Sequence, residues 1–197
     1  MKTADAFSAV RIFFAPVFFF LYFFPTWTGI GNRLSAVLLL PLLILAEFTD
    51  FLDGFYARKY NEVSDFGKLF DPFADVFLHM TTFFCYAFSG HMPLWTLVLI
   101  THRELGMLFV RLIAVKHGVT IGAKMGGKVK TVLYITAGMV SLASESVSRL
   151  GITENLPMHA IHFAGIVLYI LCVVFAYASF TDYVISFRAI LKNKTLK

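Results

Sequence analysis

Apolar runs recur along this 197-residue chain at close to the length of a bilayer crossing. They cover about residues 10–24, 34–55, 72–88, 94–115, 131–150 and 156–187. A helix needs roughly 20 predominantly apolar residues to span a hydrocarbon core. The pattern predicts an all-α integral membrane protein with six transmembrane helices in a single domain, residues 1–197. Only 15% of residues are charged, against about 25% in soluble domains, and a lipid solvent accounts for the deficit. The first run is the shortest and could pass for a secretory signal. No small-residue cleavage site precedes the polar turn, so it reads as a helix. The last run is long enough for a tilted helix that projects past the membrane.

Lys and Arg divide unevenly between the two sides. Lys2 and Arg11, then Arg58, Lys59 and Lys68, then Lys116, Lys124, Lys128 and Lys130, then Arg188, Lys192, Lys194 and Lys197 fall on one side. The opposite loops carry Arg33 and Arg149. Positive charge collects on the cytoplasmic face, so both termini are expected in the cytoplasm. The net charge of +5 then forms a skirt suited to anionic lipid headgroups. Nucleic acid is not an expected partner, since no basic run outside the spans is interleaved with aromatics. Cys85 and Cys172 lie in apolar runs without metal-type spacing and read as packing residues. The abundant Phe reads as lipid-facing bulk.

Against this background the acids are oddly placed. Seven of the twelve, Glu47, Asp50, Asp53, Glu62, Asp65, Asp71 and Asp75, crowd into one stretch. At about 100° per residue, Asp50, Asp53, Gly54, Ala57 and Arg58 fall within an arc of roughly 140° at the cytoplasmic end of the second helix. Gly67, Asp71 and Asp75 are spaced four apart and line one stripe of the third. A short polar turn would bring the two stripes together. Carboxylates so gathered repel unless cations sit between them, and Mg²⁺ or Mn²⁺ suits an all-oxygen site shared with phosphates. Two such ions form the clamp that in-line attack at phosphorus requires. Gly54 and Ala57 leave the helix surface bare for a flat group, and Arg58 can meet a phosphate. Ion pairing across helices would account for one such acid; four at these spacings point to function.

The stretch fits D-x2-D-G-x2-A-R-x8-G-x3-D-x3-D at Asp50, Asp53, Gly54, Ala57, Arg58, Gly67, Asp71 and Asp75. In this it resembles the CDP-alcohol phosphatidyltransferase family. The resemblance implies a six-helix membrane enzyme, usually a homodimer, that moves a phosphate-bearing group from a CDP-linked donor to an alcohol and releases CMP. It implies that the four Asp bind two divalent ions, with Asp75 also the catalytic base. Gly54, Ala57 and Gly67 would make room for the nucleotide, and Arg58 would meet its diphosphate.

A second stretch, "THRELGMLFVRLIAVKHGVTIGAKMGGKVKT", bears on the acceptor. Arg103 and Arg111 are eight apart, about 80° around a helix, so both can face one cavity. Lys128 and Lys130 follow, and two Arg with two Lys favour an acceptor that carries its own phosphate. The plainer readings are a salt bridge from Arg103 to an acid on another helix and a snorkelling pair of Lys. Glu104 is expected to point elsewhere and to orient an Arg of a neighbouring helix. Arg103-Glu104, Arg111 and Gly127-Lys128-Val129-Lys130-Thr131 are similar to the phosphatidylglycerophosphate synthase branch of the family, as are Arg11 and Pro16. That implies CDP-diacylglycerol as donor and glycerol 3-phosphate as acceptor. It also implies a site on the cytoplasmic side of a bacterial cytoplasmic membrane.

Two departures stand out. Asp5 and Ser8 occupy positions where the branch has Asn and Thr, and Tyr134 stands where it often has Gln. Neither departure is expected to touch the four Asp. The rival readings are a sibling enzyme for inositol phosphate, serine or a choline-type alcohol, and a UbiA-type prenyltransferase. The latter needs a second Asp-rich motif, but residues 120–197 hold only Glu145, Glu154 and Asp182. An ion-coupled transporter should show inverted repeats, and none is visible. His79, four after Asp75, is expected to be a satisfied interhelical histidine.

Overall fold

The computed structural model describes residues 3–60, 67–118, 125–154 and 156–195, with side chains over 8–49, 67, 70–118, 126–154 and 156–190. Among these residues the chain is all-helical. Its elements are α1 (Thr3–Thr28), α2 (Asn32–Tyr60), α3 (Gly67–Phe88), α4 (Leu94–Lys116), α5 (Met125–Leu150) and α6 (Met158–Thr195). Each expected run lies within or closely matches one helix. The larger overhangs fall on one side, although α1 also runs four residues past Phe24, to Thr28. α1 begins before its apolar run, α2 continues past it, α3 and α5 start earlier and α6 runs on to Thr195. All of these overhangs lie at the end of the bundle that carries Asp71 and Asp75. Apolar periodicity stops where side chains turn polar, whereas the backbone ladder continues for another turn or two.

Three helices are long and apolar enough among the described residues to cross a membrane, over Ser8–Thr28, Asn32–Thr49 and Met158–Ile190. The other three are diluted by charge: Asp71 and Asp75 on α3, Arg103, Glu104 and Arg111 on α4, Lys130, Glu145 and Arg149 on α5. The outer surface is apolar, with Phe13, Phe20, Phe84, Phe109, Phe163 and Ile185 exposed. Such exposure is foreign to a soluble monomer and natural against lipid. Not all the Phe is surface bulk, however. Phe18 and Phe83 join Tyr22, Tyr86, Tyr134 and Tyr169 in an aromatic core that also encloses Cys85 and Cys172. Because lipid is as apolar as these side chains, close packing and hydrogen bonds must hold the helices together. Gly126 shows the packing requirement: a Cβ there would stand 3.3 Å from Ser179 Cβ on α6.

α1 and α3 run parallel, shown by contacts from Ser8 to Asp71 at one end and from Tyr22 to Ser89 at the other. The far end is closed by a polar clasp. Arg149 donates to Glu145 at 2.7 Å, to Ser35 Oγ at 2.5 Å and to the Tyr22 carbonyl at 3.0 Å, and lies 4.5 Å over the Tyr22 ring. Glu145 in turn is 2.7 Å from His91 Nε2. His91 is presented by the turn after α3, where Gly90 takes φ +79, a conformation that favours glycine. Arg149 is therefore not a loose loop charge; it joins α5 to α1 and α2. Arg149→Met should lower stability in detergent by about 3 kcal/mol, the scale for stripping one partner from a buried ion pair. A thermal unfolding midpoint equal to that of the wild type would show that the clasp does not hold the bundle.

Candidate active site

The third-helix stripe behaves as its spacing predicts. Gly67 is buried at the start of α3, and Asp71 and Asp75 follow on the same side. What meets them is α1. Ser8 Oγ donates to Asp71 Oδ1 at 2.5 Å. Arg11 pairs with Asp75 Oδ1 and also donates to Ser8 Oγ at 3.1 Å. Arg11 is 1% exposed while the Asp75 side chain is 38% exposed, so the guanidinium is buried behind a carboxylate that still reaches solvent. This corrects the expectation for Ser8: its hydroxyl touches the Asp stripe directly. A signal was present in the spacing, since Ser8 and Arg11 are three apart on one helix face and so can reach α3 residues four apart.

The backbone of α2 is helical through Tyr60. The side chains of Asp50, Asp53, Gly54, Ala57 and Arg58 lie outside the described residues. Asp71 and Asp75 supply only oxygen donors, and oxygen is what a hard divalent cation such as Mg²⁺ or Mn²⁺ takes. In donor chemistry the residues fit such an ion.

The basic residues gather around an acid that the sequence reading directed elsewhere. Glu104 Oε1 accepts from Arg103 at 2.8 Å, from Lys130 Nζ at 3.0 Å and from the Tyr134 hydroxyl at 2.9 Å. Glu104 therefore pairs with its own neighbour in sequence, because the long Arg103 side chain folds back along the α4 surface. Arg103 also donates to the Ala176 carbonyl at 3.0 Å and to Ser179 Oγ at 2.8 Å on α6. It is only 3% exposed, which makes it a strut between α4 and α6. Arg111, two turns on, meets the Tyr183 hydroxyl further along α6. Lys128 and Lys130 diverge: Lys128 is exposed, whereas Lys130 turns inward over the Tyr134 ring at 4.4 Å.

The acidic and basic groups belong to one neighbourhood. Lys130 connects toward Asp75 by way of the Tyr134 ring. Between them stands His79, whose Nδ1 is 2.9 Å from the Asp75 carbonyl and whose ring centroid is 5.8 Å from that of Tyr134. Its Nε2 lies 3.5 Å from Glu47 Oε1 on α2 without forming a hydrogen bond, so the histidine stands between helices as expected but is not fully satisfied. Sequence reasoning missed Ser8, Glu104 and Tyr134 as members of this constellation. The last two carried a weak sign: a polar residue midway along an apolar helix needs a partner.

The CDP-alcohol phosphatidyltransferase family model matches residues 1–178. A relative from Treponema pallidum, named CDP-diacylglycerol–glycerol-3-phosphate 3-phosphatidyltransferase, is 36% identical over 98% of this chain and 92% of its own length. A Bacillus subtilis protein of the same name is 33% identical over 79% of each chain. Similarity of this extent takes in both the Asp stripe and the Glu104 cluster, and on it the chain belongs to the CDP-alcohol phosphatidyltransferase family.

Proposed function

We propose that this chain transfers the phosphatidyl group of CDP-diacylglycerol to glycerol 3-phosphate, giving phosphatidylglycerophosphate and CMP. Relatives named for that reaction support it. The structural observation that carries it is the run of contacts from Lys130, anchored on Glu104, through the Tyr134 ring and His79 to the backbone of Asp75. A phosphate-bearing alcohol held by the first group would lie beside the second.

Asp50, Asp53, Asp71 and Asp75 would hold two Mg²⁺ or Mn²⁺ ions, which would supply charge neutralisation at the donor diphosphate. Gly54, Ala57 and Gly67 leave room for the nucleotide, and Arg58 meets its diphosphate. Arg111 and Lys130 bind the acceptor phosphate, while Lys128 stands on the exposed side of α5 and Arg103 acts through Glu104 and α6. Asp75, oriented by Arg11, takes the proton from the acceptor's primary hydroxyl onto its carboxylate. The acceptor oxygen forms a bond to the β-phosphorus, the bond from that phosphorus to the CMP oxygen breaks, and CMP leaves with the electron pair. All six helices cross a bacterial cytoplasmic membrane, with both termini and the site on the cytoplasmic side, in a homodimer. The pairing of acids with bases on α3, α4 and α5 supports this, since charge in lipid requires a partner.

Activity should vanish with EDTA and return with Mg²⁺ or Mn²⁺. Asp71→Asn should lower turnover at least about 10²-fold, the scale of losing electrostatic stabilisation of a transition state. Full CMP release by a folded Asp71→Asn variant would sink the metal reading.

For the acceptor, Arg111→Ala should raise the KM of glycerol 3-phosphate roughly 10- to 150-fold, the equivalent of about 1.5–3 kcal/mol for a hydrogen bond to a charged group. The KM of CDP-diacylglycerol should change little. Arg111→Lys should be nearly as damaging, because a point charge cannot reproduce the planar fork. An equal rise in both KM values would make Arg111 structural, and faster turnover of serine or inositol would assign a different acceptor.

Topology is checked by cysteine labelling. A membrane-impermeant thiol reagent should reach a cysteine at Lys116 only from the cytoplasmic side, and one at Thr28 or Thr153 only from outside. The reverse pattern would place the site on the wrong face.

A further inference from the structure

Tyr134 is 1% exposed, on α5, one turn after Lys130. It touches groups on both sides of the site. Its hydroxyl donates to Glu104 Oε1 at 2.9 Å, its ring carries the Lys130 ammonium at 4.4 Å, and its edge meets His79 at 5.8 Å between centroids. His79 is tied to the backbone of Asp75.

The bonding at Glu104 Oε1 is crowded. A carboxylate oxygen offers about two lone-pair directions, yet Arg103, Lys130 and Tyr134 all donate to this one. Arg103 cannot yield, because Ala176 and Ser179 also hold it. The competition therefore falls between the Tyr134 hydroxyl and the Lys130 ammonium. Counting charge, Arg103 and Lys130 outnumber Glu104 by one, so the cluster keeps one positive charge to offer an anion. Lys130, at 15% side-chain exposure against 3% for Arg103, is where that charge can be met.

We infer that Tyr134 is a positioning residue for the acceptor phosphate: its hydroxyl shares Glu104 Oε1 with the Lys130 ammonium already paired there, and its ring supports that ammonium, so that Glu104 does not draw the cation fully inward. This rests on the reaction proposed above. Without the hydroxyl, Glu104 takes Lys130 more fully and the cation is withdrawn from the acceptor. The ring alone still gives cation–π support but no longer competes for the oxygen.

CMP release is measured at varied glycerol 3-phosphate and varied CDP-diacylglycerol, and wild-type turnover is read first. No CMP release with glycerol 3-phosphate by the wild type overturns the reaction and this inference with it. Given wild-type turnover, Tyr134→Phe should raise the KM of glycerol 3-phosphate about fivefold to tenfold, the worth of one ordinary intramolecular hydrogen bond, with the CDP-diacylglycerol KM and kcat little changed. Replacing Tyr134 with 4-aminophenylalanine keeps ring and donor and should restore an acceptor KM near that of the wild type. It also serves if Phe impairs folding. In a Lys130→Met background, Tyr134→Phe should have no further effect on acceptor KM, because the pathway through Lys130 is already cut. Additive effects in that cycle, or a Tyr134→Phe variant that raises both KM values alike, would show a structural tyrosine and overturn the inference.

Discussion

The pairing of Arg11 with Asp75 is the contact on which the acidic end of the bundle depends. A guanidinium buried to 1% exposure cannot be left without an anion, and the anion available lies 64 residues away on α3. Meeting it aligns α1 parallel to α3 in a single register. Ser8 then falls on Asp71 one turn earlier, and at the other end Tyr22 falls on Ser89 at 2.8 Å. One ion pair thus sets the height of the Asp stripe relative to the rest of the fold. It also fixes one oxygen of Asp75 while the side chain stays partly open to solvent.

The same need for partners organises the second half of the site. Glu104 lies deep in α4 and draws Arg103, Lys130 and Tyr134 onto one oxygen, joining α4 to α5. Arg103 carries the connection to α6 through Ser179, where Gly126 lets α5 approach as well. The far end uses similar chemistry to a different end. Arg149, Glu145 and His91 are tied to one another and to Ser35 and the Tyr22 backbone. That clasp is built for fixity. The cluster around Glu104 keeps a surplus positive charge, so it is suited to binding.

Much of the chain was legible before any coordinate. Six apolar runs became six helices in the described residues, because hydropathy over a span is a local property of consecutive side chains. Asp71 and Asp75 share a face, because four residues nearly complete a turn. The overhangs of α2 and α3 were legible from the spacing of the acidic stripes and that of α6 from its length, whereas those of α1 and α5 were not, since apolarity says nothing about where a helix ends once it leaves lipid. Ser8 looked like a departure remote from the acids and turned out to bond one of them. Glu104 was directed away from Arg103 by its adjacency in sequence, yet side-chain length brought the two together.

By itself, then, the sequence determined the helical character, the order of the helices and the faces on which the acids and bases stand. It also carried the family motif, since each of its positions is set by spacing along one or two neighbouring helices. Only the tertiary structure decided the partners: Arg11 with Asp75 across 64 residues, Lys130 with Glu104 across 26, Arg103 with Ser179 across 76. The reason is physical. Helical spacing fixes angles within one helix, whereas the partner of a charge is chosen by helix register, and register emerges only when every buried charge must be satisfied at once.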